Sequence, residues 1–215
     1  MTDLVLLTGL GRNEDSYRKF KISAPSGCSS YIFNSSFLTD INDPSKTVEN
    51  IDKLLGKHRL KKVNLVGHSL GGSLAIMYAN TYPEKVKHLY LLDPATIRER
   101  RTILYFITNF LMNHSFHSGR VFVENLRALP VIVRNPVLYL KLFRYVRTID
   151  LTKEASSIQV PTTILWGEKD HLIPVRHGEK LKSLIKESKL LILPKESHDW
   201  PLYKPELFWE NVKYG

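Results

Sequence analysis

A serine, an aspartate and a histidine each follow an apolar, strand-like run of this chain, and together they can perform nucleophilic catalysis. These residues are Ser69, Asp170 and His198, in that chain order. A serine hydroxyl is a poor nucleophile at neutral pH and needs a base within hydrogen-bond reach. Histidine can accept that proton and return it to a leaving group, and a carboxylate can fix the histidine tautomer. We therefore predict Ser69 as nucleophile, His198 as base and Asp170 as orienting acid.

The serine lies in the sequence Gly-His-Ser-Leu-Gly at 67–71. An apolar run precedes this stretch, and a segment of small and apolar residues continues to 81. Strand, sharp turn and helix in this order are the context in which Gly-x-Ser-x-Gly exposes a nucleophile. The glycines leave room where strand and helix cross, and the helix N-terminus favours developing negative charge.

Acyl transfer at a serine produces a tetrahedral oxyanion, which needs positioned N–H donors. The residue after the nucleophile, Leu70, supplies one donor. A Gly-Leu-Gly turn follows the first apolar run and lets the backbone approach the same place. We expect the second donor to be the N–H of Leu10.

Two alternatives concern the acid and the base. Asp93 also follows a strand-like run, so it is the rival of Asp170 for the acid position. His68 and His171 are expected to be neighbours of the site.

If neutral His198 is the base, kcat/KM should rise with pH through about 6 to 7.

Strand-like and helix-like segments alternate along most of the chain. This alternation predicts an α/β fold with a mostly parallel sheet of about six strands and helices on both faces. The core is expected to comprise residues 1–95 and 159–215. The predicted strands are 3–8, 30–34, 62–66, 86–92, 162–166 and 189–193, and the predicted helices are 44–56, 70–81, 174–185 and 205–214.

The segment 96–158 interrupts this alternation. It has helical periodicity, many aromatic residues, and ten Lys or Arg against four Asp or Glu. It is too long for an ordinary crossover, and its position between the fourth and fifth strands places it above Ser69. We expect a helical cap, or lid, that contributes a substrate pocket. The candidate pocket residues are Phe106, Phe110, Phe116 and Phe122.

Composition excludes several other classes of protein. The single cysteine, Cys28, excludes an intrachain disulfide and a multi-cysteine metal site. No apolar run approaches the roughly 20 residues of a membrane span, and the N-terminus lacks the pattern of a signal peptide. We interpret the net charge of +10 as a solvated surface and expect no nucleic-acid partner. A cytoplasmic protein is expected, and a homodimer or a weak contact of the basic cap with anionic lipid is left open.

These motifs resemble those of the α/β-hydrolase-fold serine hydrolases, in the branch of carboxylesterases and monoacylglycerol lipases. The resemblance implies a minimal α/β-hydrolase fold with a cap, and cleavage of carboxylic esters of small to medium acyl chain through an acyl-enzyme. It implies no metal and no organic cofactor. Lactones, amides and carbon–carbon bonds are alternative substrates of the same triad, and a non-catalytic binding protein is the alternative class. The stretches that carry the resemblance are 8–11, 67–72, 166–174, 197–198 and 204–208.

The chain departs from this family's pattern at three points, one of which is the short region after the second strand, where residues 28–40 align poorly. Thr8 precedes Gly9 where members of the family often have histidine. The two strands that usually come first are expected to be absent, because the sequence begins with the strand that precedes the Gly-Leu-Gly turn. The sheet is therefore expected to be small, with one edge exposed or paired with another subunit.

Overall fold

The computed structural model describes residues 2–98, 130 and 133–212. In these residues, six strands form one parallel sheet in the order β2-β1-β3-β4-β5-β6. This confirms the predicted fold class. The strands are β1 (Thr2–Leu7), β2 (Cys28–Phe33), β3 (Val63–His68), β4 (Val86–Leu92), β5 (Thr162–Gly167) and β6 (Ser188–Leu193).

The strand register brings the carboxyl ends of the strands to one edge of the sheet. Gly67 near the end of β3 is level with Leu7 at the end of β1, and His68 is level with Leu92 at the end of β4. Functional groups in parallel α/β sheets gather beyond these carboxyl ends. The residues that follow the strands are therefore delivered to one region.

Helices cover both faces of the sheet because the strand side chains alternate between two apolar cores. The helices whose two ends lie in the described residues are α1 (Arg18–Ile22), α2 (Ser35–Leu38), α3 (Pro44–Lys57), α4 (Leu70–Thr81), α5 (Pro136–Thr148), α6 (Thr152–Ser156), α7 (Arg176–Leu184), α8 (Trp200–Tyr203) and α9 (Glu206–Asn211). The larger core lies under α3, α4 and α7, and the smaller one contains aromatic residues from α1, α8 and α9.

The start of α3 shows how local sequence sets an element. Asp43 precedes the helix, and its carboxylate accepts hydrogen bonds from the backbone N–H groups of Ser45 and Lys46, at 3.0 and 3.4 Å. Pro44 occupies the first helical position, where a missing N–H costs nothing. Such a cap contributes about 1 kcal/mol to helix stability. The structure begins the helix where the sequence predicts it.

The segment 96–158 is described only in part. Its described portion contains α5 and α6, and the N–H of Leu151 donates to the carbonyl of Thr96 at 2.8 Å. The end of the segment thus lies beside its beginning, next to the core. The four candidate pocket residues Phe106, Phe110, Phe116 and Phe122 lie outside the described residues.

Candidate active site

Ser69 occupies the sharp turn between β3 and α4. Its backbone has φ 53° and ψ −117°, a conformation that non-glycine residues rarely adopt. The Ser69 N–H donates to the carbonyl of Leu92, and its carbonyl accepts from the N–H of Ala95, both at 3.0 Å. The end of β4 therefore holds the strained turn in place.

Glycine is required on both sides of this turn. A Cβ at Gly67 would lie 2.4 Å from the carbonyl oxygen of Gly71, and a Cβ at Gly71 would lie 2.0 Å from that of Leu7. Backbone atoms cannot yield to such contacts without moving β1 or α4. The close crossing of strand and helix that orients Ser69 thus depends on these two residues.

His198 and Asp170 form a buried hydrogen-bonded pair. Nδ1 of His198 lies 2.7 Å from Oδ2 of Asp170, and both residues are about 4% exposed. The other oxygen of Asp170 accepts hydrogen bonds from the N–H groups of Leu172 and Ile173, at 2.8 and 2.7 Å. The carboxylate is therefore fixed on both sides, and it fixes the orientation of the imidazole.

Two opposing effects set the pKa of His198. Burial lowers it, whereas the charge of Asp170 and the hydrogen bond to this carboxylate raise it, with a further contribution from Asp199. The balance raises the pKa of His198 to about 9.

No hydrogen bond joins the described side chains of Ser69 and His198. Such bonds are often long in the absence of substrate and tighten when substrate binds.

Asp93, the rival acid, has other partners. One of its oxygens accepts from the N–H of Gly167 at 2.8 Å, and the other accepts from the indole N–H of Trp200 at 2.5 Å. Burial and the nearby charge of Asp170 raise the pKa of Asp93, although the two N–H donors act in the opposite direction. In this structure Asp93 joins β5 and α8 to the end of β4, whereas Asp170 contacts the imidazole.

In the loop after β1, the N–H group of Leu10 is available for a substrate. Within the described part of the chain, Leu10 N–H has no hydrogen-bond acceptor. The N–H of Leu70 opens α4, where the first turn of a helix has no intrahelical acceptors. The N–H groups beside it are occupied: Gly9 donates to the Tyr17 hydroxyl (3.0 Å), Gly11 to the Ser36 hydroxyl (3.1 Å) and Arg12 to the Gly9 carbonyl (3.1 Å).

Thr8, the residue that departs from the family pattern, holds this loop from inside. Its hydroxyl donates to the carbonyl of Arg12 at 3.0 Å and accepts from the N–H of Ser35 at 3.2 Å. These bonds close the loop and attach it to the start of α2. The replacement of histidine by threonine is therefore compatible with an ordered loop.

A cavity of about 90 Å³ brings the predicted residues together. Ser69, His198 and Leu10 line it, and Asp170 lies behind His198. Apolar side chains from the partly described segment and from the loop after β5 form much of its wall. The full lining is Gly9, Leu10, Arg12, His68, Ser69, Phe143, Val146, Leu172, Ile173, His198 and Asp199.

The sequence analysis missed an ion pair in this wall. Nη2 of Arg12 lies 3.3 Å from Oδ1 of Asp199, and both side chains are buried. The pair joins the loop after β1 to the residue that follows His198. Arg12 and Asp199 are far apart in sequence, so no local pattern predicts their contact. The one available signal is that Asp199 directly follows His198.

Asp93, Asp170 and His198 also form the kind of cluster that can bind a metal ion, with ligand atoms within 4.8 Å of one another. Both oxygens of each aspartate, however, already accept hydrogen bonds, and Nδ1 of His198 is bonded to Asp170. Among the described residues this cluster fits a hydrogen-bond network better than a metal centre.

Comparisons with known proteins agree with this architecture. The sequence profile of the alpha/beta hydrolase fold family matches residues 4–113. Lipase 1 of Psychrobacter immobilis is 20% identical, over 91% of this chain and 70% of the lipase. A 2-hydroxy-6-oxononadienedioate/2-hydroxy-6-oxononatrienedioate hydrolase of Comamonas testosteroni is 22% identical, over 72% of this chain and 61% of that enzyme. The crystal structure of an esterase from Exiguobacterium antarcticum matches with a TM-score of 0.78 and 18% identity, over 98% of this chain and 90% of the esterase.

The chain therefore belongs to the α/β hydrolase fold family. Its relatives include proteins named as lipases and hydrolases, and the cavity lined by Ser69 and His198 lies at the carboxyl end of the sheet. None of the helices that the structure describes is both long enough and apolar enough to cross a membrane.

Proposed function

We propose that this protein is a serine hydrolase that cleaves carboxylic esters through an acyl-enzyme formed on Ser69. The observation that carries the proposal is the hydrogen bond between His198 and Asp170 beside a serine in a strained turn. Relatives named lipase, and a structural neighbour named esterase, support an ester as the substrate.

In the first half of the reaction, the Ser69 hydroxyl attacks the ester carbonyl. Nε2 of His198 takes the hydroxyl proton, while Asp170 stabilises the imidazolium that forms. The N–H groups of Leu10 and Leu70 stabilise the oxyanion of the tetrahedral intermediate. When this intermediate collapses, His198 gives the proton to the leaving alcohol, and the acyl group stays on Ser69.

In the second half, water attacks the acyl-enzyme. Neutral His198 removes a proton from the water, and the same two N–H groups stabilise the second oxyanion. Collapse of this intermediate returns the proton to Ser69 and releases the carboxylic acid. The residues named here account for every proton transfer.

The size and lining of the cavity support a small-molecule ester of small to medium acyl chain as the substrate. The cavity volume is about 90 Å³, and the side chains of Phe143, Val146 and Leu172 give the cavity apolar walls. Phe143 and Val146 belong to the segment 96–158, which supports the role of this segment as a cap over the core of 1–95 and 159–215. That Phe106, Phe110, Phe116 and Phe122 contribute to the pocket remains a prediction from sequence.

The Comamonas relative favours a second candidate, the hydrolysis of a carbon–carbon bond beside a ketone by the same three residues. An ester series and a dienedioate substrate separate the two candidates. Faster turnover of p-nitrophenyl esters than of the dienedioate supports the esterase, and the reverse order supports the second candidate.

The nucleophile is tested by replacing Ser69 with alanine and measuring hydrolysis of p-nitrophenyl butyrate. We expect kcat to fall by at least about 10³-fold, because no other group can form the acyl-enzyme. Ser73→Ala is the matched control, since Ser73 is a buried serine on α4 whose hydroxyl donates to the carbonyl of Ala95. Activity of Ser69→Ala within tenfold of the parent would refute the proposal.

A further inference from the structure

We call the loop after β1, residues 8–14, the oxyanion loop, because the proposed function assigns it the Leu10 donor. A buried chain of hydrogen bonds runs from this loop to the backbone of His198. Gly9 N–H donates to the Tyr17 hydroxyl at 3.0 Å, and this hydroxyl lies 2.5 Å from Nδ1 of His68. On the other side of the same ring, Nε2 of His68 lies 3.0 Å from the carbonyl oxygen of His198. Tyr17 and His68 are at most 1% exposed.

Only one arrangement of protons satisfies every donor and acceptor in this chain of hydrogen bonds. The carbonyl of His198 can only accept, so Nε2 of His68 carries the proton and Nδ1 is the acceptor. Tyr17 then donates its proton to Nδ1 and accepts from Gly9. His68 is accordingly neutral, and burial together with the nearby His198 lowers its pKa to about 3.

This chain of hydrogen bonds lies directly beside Ser69. A Cβ at Gly9 would lie 3.1 Å from Nδ1 of His68 and 3.5 Å from Cβ of Ser69. His68 also precedes Ser69 in sequence, and its ring centroid lies 5.0 Å from that of His198. A displacement of His68 would therefore disturb the oxyanion loop and the base together.

The ion pair between Arg12 and Asp199 joins the same two loops at a second point. It connects the far end of the oxyanion loop with the residue after His198. The Tyr17–His68 chain connects the near end, at Gly9, with His198 itself. Two separate contacts therefore fix the oxyanion loop relative to the loop of the base.

We propose that Tyr17 and His68 are positioning residues that fix the Leu10 N–H and the His198 imidazole relative to Ser69. This inference rests on the proposed function. Neither residue exchanges a proton with the substrate, because both ring nitrogens of His68 and the hydroxyl of Tyr17 are hydrogen-bonded within the protein. They act by holding the Leu10 N–H and the His198 imidazole in the positions that the transition state requires.

The first test replaces Tyr17 with phenylalanine, which keeps the buried ring and removes the hydroxyl. We expect kcat for p-nitrophenyl butyrate to fall about 10- to 100-fold with KM within about threefold, because oxyanion stabilisation is needed in the transition state. Tyr78→Phe is the matched control: Tyr78 is buried, and its hydroxyl donates to Asp52 at 2.8 Å, away from the cavity lining. The control should lower the melting temperature without lowering kcat.

The second test uses two replacements of His68. Glutamine can accept from Tyr17 through Oε1 and donate to the His198 carbonyl through its amide nitrogen, whereas leucine can do neither. We expect His68→Gln to retain kcat within about fivefold of the parent and His68→Leu to match Tyr17→Phe. This rescue separates a positioning role from a purely structural one.

The imidazole of His68 in the parent protein provides a readout that needs no variant. Nitrogen-15 NMR of labelled histidines should show His68 neutral, with the proton on Nε2, from pH 5 to pH 8. The opposite tautomer, or a cation in this range, would overturn the inference even if the variants do not fold.

The kinetic outcomes distinguish the two proposals. If the parent protein hydrolyses esters but Tyr17→Phe and His68→Leu keep the parent kcat, the positioning inference is wrong and the proposed function stands. If the parent neither hydrolyses esters nor reacts with a fluorophosphonate, the proposed function is wrong and the inference falls with it.

Discussion

The Nδ1 atom of His198 lies 2.7 Å from Oδ2 of Asp170, although the two residues follow different strands of the sheet. The neighbouring strands β5 and β6 deliver them, because Gly167 at the end of β5 is level with Leu193 at the end of β6. A carboxylate in this place fixes which imidazole nitrogen carries the proton. The orientation of the base therefore depends on the pairing of two strands far from Ser69 in sequence.

This relationship predicts different effects for the two aspartates at strand ends. Asp170→Asn should lower kcat by about 10⁴-fold, because an amide favours the wrong imidazole tautomer. Asp93→Asn should lower kcat by less than about tenfold but reduce stability, since Asp93 accepts from Gly167 and Trp200. Ester kinetics and urea unfolding of both variants check this. A larger loss of kcat in Asp93→Asn would assign the acid to Asp93.

The pH dependence follows from the raised pKa of His198. The base must be neutral, so kcat/KM should rise with pH and level off only above a midpoint near 9, higher than the 6 to 7 expected from sequence. Asp170→Asn removes the main raising effect, so its midpoint should move to lower pH. The profile is measured from pH 5 to pH 10 with the spontaneous hydrolysis subtracted. A parent profile already level at pH 6 would contradict the pairing of His198 with Asp170.

The crossing of β1 and α4 predicts opposite effects for two glycines. Gly71→Ala should destabilise the fold by at least about 2 kcal/mol, because the new Cβ would lie 2.0 Å from a backbone oxygen. Gly56→Ala is the matched control: Gly56 lies in α3 with no atom within 4 Å of a new Cβ. Alanine there should stabilise by about 0.5 to 1 kcal/mol. Equal midpoints of the two variants in urea unfolding would refute the tight crossing.

Much of the core could be predicted from sequence because its elements have strong local signals. The structure places α4 at Leu70–Thr81 and β4 at Val86–Leu92, the predicted bounds in both cases. A glycine-rich turn opens α4, and Pro83 prevents its continuation. The four buried residues that end β1 likewise form a continuous apolar run, as expected of a strand covered on both faces.

Short helices escaped prediction because they contain too few turns to show a helical period. The predicted helices do not include Arg18–Ile22 or Trp200–Tyr203, and the structure has a helix at each place. Their buried aromatic residues, Phe20 and Trp200, belong to the smaller core. Tertiary packing, rather than local propensity, stabilises such elements.

The candidate site also contains residues with a local sequence signal and residues without one. Strand-end position led to the prediction of Ser69, Asp170 and His198, and the spacing of glycines led to the prediction of Leu10; the structure places these residues in or beside one cavity, and their roles stay predictions. Tyr17 gave no signal, because its role depends on partners that only the folded chain brings together. Long-range polar contacts of this kind have no sequence period to detect.

The central claim is that Ser69 is an activated nucleophile, and covalent labelling tests it most directly. The parent protein is incubated with a fluorophosphonate, and the adduct is located by mass spectrometry of its peptides. We predict one adduct per chain, on Ser69, with none in Ser69→Ala and slower labelling in Asp170→Asn. No adduct on the folded parent, or an adduct on another residue, would contradict the account.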